Sequence, residues 1–148
     1  MRKFLLIFLF FVYSCGYQPL YTNKNFNKLT FKEIVIQGDK DINRGIVSST
    51  FIKQDLKNFL YEKIIIKNNQ YIVETSKDSK GVPESYRMTI NLEIKIIDKA
   101  NIIKEKKFSE EFSYKNLDNK FDLYEYEIDV RNKLIKKITE KLIIYLNI

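Results

Sequence analysis

The sequence contains no histidine and no tryptophan, a single cysteine, four glycines and two prolines. A lone cysteine excludes an intrachain disulfide, and without histidine it also excludes a Cys/His zinc or iron–sulfur centre. Ser-His-Asp and Cys-His nucleophile systems lack their base. Blocks of five or six like charges are missing too, because acids interrupt the lysines almost everywhere. These absences leave a small, non-metal, non-catalytic domain as the expectation.

What is present amounts to 148 residues, enough for one domain. At 45% hydrophobic and 14% aromatic, the composition is too apolar for a disordered chain. Lys and Arg number 26 against 19 Asp and Glu, a net charge of +7. Only four of those cations are Arg (Arg2, Arg44, Arg87 and Arg131). Abundant Ile, Asn and Lys beside scarce Gly and Pro is what A/T-rich codons produce, a property of a genome rather than of a site. The excess therefore reads as a solvated, mixed-charge surface, and net charge alone names no nucleic-acid partner.

The N-terminus is more specific. Arg2-Lys3 precedes an apolar run from Phe4 to Tyr13, which at 1.5 Å per residue spans about 15 Å, half of a hydrocarbon core. Those are the proportions of a secretory signal. The run ends at Val12-Tyr13-Ser14-Cys15, which resembles a bacterial lipoprotein lipobox with a bulky Tyr13. The resemblance implies residues 1–14 as signal peptide, a covalent diacylglyceryl or palmitate-type lipid on Cys15, and residues 15–28 as a lipidated tether. Gly16 stands where retention at the inner membrane usually requires Asp, so the expected location is the cell outer membrane. Loss of residues 1–14 leaves 24 cations against 19 acids, a net +5.

Residues 29–148 read as a single α+β domain. Phe31–Ile36 is a first strand. From Arg44 to Glu62 the apolar residues fall at helical spacing, with Asn43 as cap. Ile64–Ile66 leads into a strand at Tyr71–Val73 across Asn68-Asn69. Tyr86–Ile96 alternates strictly between apolar even and polar odd positions, the mark of a sheet with one wet face. After a turn at Asp98–Asn101, Ile102, Phe108, Phe112 and Tyr114 continue the even face, with Lys107, Glu111 and Lys115 opposite. A final helix over Phe121–Leu146 carries a stripe of Tyr124, Ile128, Ile135, Ile138, Leu142 and Tyr145, widened by Leu134 and Leu146. The expected architecture is a two-layer sandwich in the order β-α-β-β-β-α, a four-stranded, largely antiparallel sheet with two helices on one face.

Cys15-Gly16-Tyr17-Gln18-Pro19-Leu20-Tyr21 resembles the Cys-Gly-aromatic-x-Pro-Leu-Tyr start of the LPS-assembly lipoprotein LptE family. The Tyr86–Ile96 strand is similar to that family's long middle strand, and the Asp129-x-Arg131 helix to its C-terminal helix. The resemblance implies a non-enzymatic outer-membrane lipoprotein that plugs and helps assemble the LptD β-barrel. It would assist delivery of lipopolysaccharide (LPS) to the outer leaflet, with its domain in the periplasm or barrel lumen. LPS phosphates would call for cations. Arg87 is the first candidate because Arg binds phosphate bidentately, and Lys120 the second, since some family members use a Lys in that region. The residues by themselves leave rivals open: a different outer-membrane lipoprotein serving another envelope complex, a periplasmic enzyme using Glu110-Glu111, Glu125/Asp129 or a Ser–Lys pair, or a cytoplasmic RNA-binding module that keeps residues 1–15.

Overall fold

The alternating segment forms the centre of the molecule. In the computed structural model, which describes residues 29–50 and 52–146, it is strand β4, Pro83–Asp98. Met88, Ile90, Leu92, Ile94 and Ile96 are all buried on its even face. The remaining elements are β1 (Thr30–Gln37), α1 (Lys40–Ser49), β2 (Lys53–Gln54), β3 (Tyr61–Lys77), β5 (Asn101–Lys115) and α2 (Lys120–Leu146). The expected signal peptide, the tether and Cys15 lie outside the described residues.

Among the described residues the sheet has five strands in the order β2-β1-β3-β4-β5. It is mixed: β1 runs parallel to β2 and β3, whereas β3, β4 and β5 are antiparallel neighbours. The four-stranded, largely antiparallel expectation is corrected in both respects. Ile64 and Ile66 of β3, opposite Ile96 and Ile94 of β4, share one face with Phe31, Phe108 and Tyr114. Both helices close that face, α1 with Ile42 and Ile46, α2 with Val130, Leu134, Ile135, Ile138 and Leu142. They meet at Gly45, where an added Cβ would stand 2.9 Å from Ile135 Cγ2.

The helix expected over Arg44–Glu62 is shorter and starts earlier. Asp39, rather than Asn43, caps it by accepting from the N–H groups of Asp41 and Ile42 at 2.9 and 3.0 Å. Thr50 ends it in an extended conformation. The chain then adds β2 beside Thr30 and Phe31, and the Asp55 carboxylate accepts from Lys57 and Asn58 N–H in a tight turn. That local bonding competes with helix. It leaves Leu56 and Leu60 exposed rather than on a helical stripe.

Asn68-Asn69 does not interrupt β3, which runs unbroken for 17 residues. Asn68 stays on the core face, buried, because the turn between β1 and α1 satisfies its amide. Asp39 N–H donates to Asn68 Oδ1 at 3.0 Å, and Asn68 Nδ2 donates to Asn43 Oδ1 at 2.5 Å. Gly38, at φ +107°, lies so close that a Cβ there would be 2.0 Å from the Asn68 carbonyl oxygen; only glycine fits.

The β4–β5 hairpin turns through Lys99 and Ala100, both at positive φ. A register shift beside Ile96/Ile97 then pairs Ile102 with Ile97 but Lys104 with Ile96. This one-residue bulge moves Ile102 to the open face, where it is exposed, against the expectation. Phe108 and Tyr114 keep the core face, while Phe112, on this edge strand, is 42% exposed. In α2 the stripe holds from Leu134 onward. Tyr124 is exposed, and Val130 supplies a core position the stripe did not include.

Candidate functional site

Strand alternation turns the odd residues of β4 away from the helices, and its neighbours follow in register. The result is an open sheet face carrying ladders of opposite charge. Lys63 Nζ lies 2.9 Å from Glu33. Lys95 sits between Glu93 at 3.1 Å and Glu105 at 3.3 Å, and Lys107 approaches Glu93 at 3.9 Å. The hydrogen bond from Lys95 holds the Glu93 carboxyl below its ordinary range, and Lys107 and Lys67 add to the effect. The same contacts with Glu93 and Glu105 raise Lys95. Between these ladders lies a shallow depression of about 340 Å³ lined by Lys67, Asn69, Asn91, Glu93, Lys107 and Ser109, among others. Amides, hydroxyls and alternating charges suit it to polar contacts spread over a surface.

Arg87 belongs to this face, near its far end. It stands opposite Val73 and Ser113. Its Nε donates to Ser113 Oγ at 3.2 Å, and Nη1 lies 3.9 Å from Glu111. The guanidinium is thus oriented by its neighbour strand yet almost half exposed. Lys120 is exposed at the first residue of α2, the element that covers the opposite face. The structure therefore separates the two candidate cations rather than converging them on one pocket.

Sequence reasoning missed the residues that accompany Arg87, and those that tie α2 down. Ser113 and Glu111 reach Arg87 only through the β4–β5 register, which the bulge sets. Tyr114 donates its hydroxyl to Glu127 Oε1 at 2.6 Å. Burial first, then that hydrogen bond, pushes the phenol well above its ordinary range. Lys141 bonds Glu110, and the Tyr145 hydroxyl donates to the Glu105 carbonyl at 3.2 Å. Glu110, one of the acids considered for catalysis, is thereby an ion-pair partner of α2. Among the described residues no helix is long and apolar enough to cross a membrane.

No protein-family model and no curated protein matches the chain. Solved structures do match in fold. The crystal structure of rare lipoprotein B from Shewanella oneidensis superposes with a TM-score of 0.54 at 10% identity, covering 77% of this chain and 92% of that one. The solution structure of uncharacterized lipoprotein B from Nitrosomonas europaea gives 0.52 at 13%, over 88% and 91%. A minor lipoprotein from Acinetobacter baumannii gives 0.51 at 11%, over 76% and 87%. At such identities the likeness is one of architecture: two helices on one face of an open mixed sheet is the fold these bacterial lipoproteins share with this chain.

Proposed function

We propose that the chain is a non-enzymatic, lipid-anchored protein of the outer membrane, of the LptE type. In this reading it plugs and helps assemble an LptD β-barrel and assists LPS delivery to the outer leaflet. One conjunction carries the reading: a start resembling the LptE family, Cys15-Gly16-Tyr17-Gln18-Pro19-Leu20-Tyr21, stands on a domain with the fold of solved bacterial lipoproteins. The physical chemistry supports it. Lumens of large barrels are polar, and a plug needs a face that makes many weak polar contacts. The ladder of Glu33, Lys63, Glu93, Lys95 and Lys107 offers such a face.

Affinity purification of the full chain from detergent-solubilised outer membrane, with mass spectrometry of what remains bound, tests the reading. A large β-barrel protein should co-purify; recovery of a different envelope complex, or of no barrel, refutes the LptE assignment. Palmitate labelling that vanishes in Cys15→Ala tests the anchor separately. For LPS, Arg87 is the stronger candidate because Ser113 orients its guanidinium while leaving it accessible. Arg87→Glu should weaken LPS binding severalfold, and unchanged binding removes Arg87 from the site. Lys120→Glu provides the same test for the start of α2.

A further inference from the structure

β3 changes character half way along. From Lys63 to Lys67 it is paired on both sides, by β1 and by β4. Beyond Lys67, among the described residues, only β4 remains, because Gly38 turns the chain away against Asn68 to start α1. From Tyr71 to Lys77 every residue of β3 is exposed. This free edge is unusual in composition. Tyr71, Ile72 and Val73 are 47%, 37% and 44% exposed, three consecutive large apolar residues where edges normally carry charge. The charges that follow on β3, Glu74 and Lys77, neutralise each other at 2.8 Å, and Arg87, opposite Val73 on β4, faces Glu111. Register shifts after Glu74 end the regular edge.

We propose that this edge, Gln70–Glu74, pairs antiparallel with the same edge of a second copy of the chain, about a twofold axis through Ile72. With the helical faces of both copies on the same side, even positions must oppose even and odd oppose odd, so few registers are available. Centring on Ile72 sets Ile72 against Ile72, Tyr71 against Val73 twice, and Gln70 against Glu74 twice, an amide donor facing a carboxylate. Centring on Tyr71 would oppose Ile72 to Gln70 and Val73 to Asn69. Centring on Val73 would oppose Ile72 to Glu74. Only the Ile72 register matches apolar with apolar and donor with acceptor throughout, and cross-strand pairs of this kind are what stabilise a sheet. The pairing unites two three-stranded antiparallel arms into one six-stranded sheet. Its strength is limited by its length and by the repulsion of two chains of +7 each. Because the edge itself is locally neutral, added salt screens that repulsion without weakening the contact.

The experiment is disulfide trapping of the full chain in mild detergent, in a Cys15→Ser background so that each added cysteine is alone. Ile72→Cys should form a covalent dimer on the order of tenfold faster than Tyr71→Cys or Val73→Cys alone, since only the residue on the axis faces itself at disulfide distance. Mixing Tyr71→Cys with Val73→Cys should give a mixed dimer. Sedimentation of the chain without added cysteines should show dimer increasing with protein concentration and with salt, and Ile72→Lys should remove it while the far-ultraviolet spectrum stays unchanged. A monomer at every concentration, a dimer that persists in Ile72→Lys, or trapping fastest at Tyr71 or Val73 alone overturns the proposal. None of these outcomes depends on whether a barrel partner is recovered.

Discussion

Asn68 offers the sharpest test of how the fold is held. Its buried amide joins three pieces of chain: β3, the β1–α1 turn through Asp39, and α1 through Asn43. Asn68→Ala removes two well-formed hydrogen bonds, at 3.0 and 2.5 Å, together with two longer, weak contacts from the same amide to the Gln37 and Asp39 carbonyls. At about 1 kcal/mol net for each well-formed bond, the loss is about 2 kcal/mol, a sizeable part of a typical total of about 5–15 kcal/mol. With a urea slope of about 2 kcal/mol per molar, the unfolding midpoint should fall by about 1 M at unchanged slope. Asn43→Ala loses only the shared bond and should cost about half as much. The double variant should then fall short of additivity by about 1 kcal/mol. A midpoint shift for Asn68→Ala below about 0.3 M, or strict additivity of the two substitutions, would refute the network.

Gly38→Ala combines a positive φ of +107° with a Cβ 2.0 Å from the Asn68 carbonyl oxygen. It should destabilise by at least about 2 kcal/mol, read from the same urea curves. Ala100→Gly acts in the other direction: Lys99 and Ala100 hold φ of 47° and 65°, values that glycine adopts without strain. A gain of about 0.5 kcal/mol and a rise in Tm of about 2 °C are expected by calorimetry, after the looser unfolded chain is allowed for. Tyr114 makes a pH prediction. Its phenol is raised above the ordinary value near 10, so the folded state favours the neutral form. The stabilisation is therefore complete below about pH 10 and lost as pH rises above it. Tyr114→Phe should lose that extra alkaline decline in urea midpoint relative to the parent chain, and identical slopes for the two proteins above pH 10 would contradict the assignment.

These tests bear on residues whose roles differ in how far the sequence disclosed them. The even face of β4 was legible because alternation is a property of the strand itself, and α2 from Leu134 onward was legible because a 3.6-residue stripe needs no partner to define it. The residues after Ser49 were not. Leu56, Phe59 and Leu60 sit at helical spacing, yet the Asp55 turn and the pairing of β2 with Thr30 and Phe31 take the chain elsewhere. Asn43 reads as a cap by residue type, but Asp39 captures the helix start and frees Asn43 to bond Asn68.

The candidate site divides in the same way. Sequence alone singled out Cys15 as the expected lipid anchor, the wet face of β4 and Arg87 upon it, since each depends on residue type and local period. Tertiary structure decided what Arg87 touches, because Ser113 and Glu111 arrive through a register that a single bulge near Ile97 shifts by one residue. It also decided that Lys120 belongs to a different surface and that, among the described residues, β3 beyond Lys67 has no neighbour on the β1 side. No local pattern records where a neighbouring strand stops. Gly38 and Asn68, thirty residues apart, set that point only when the chain has brought them together.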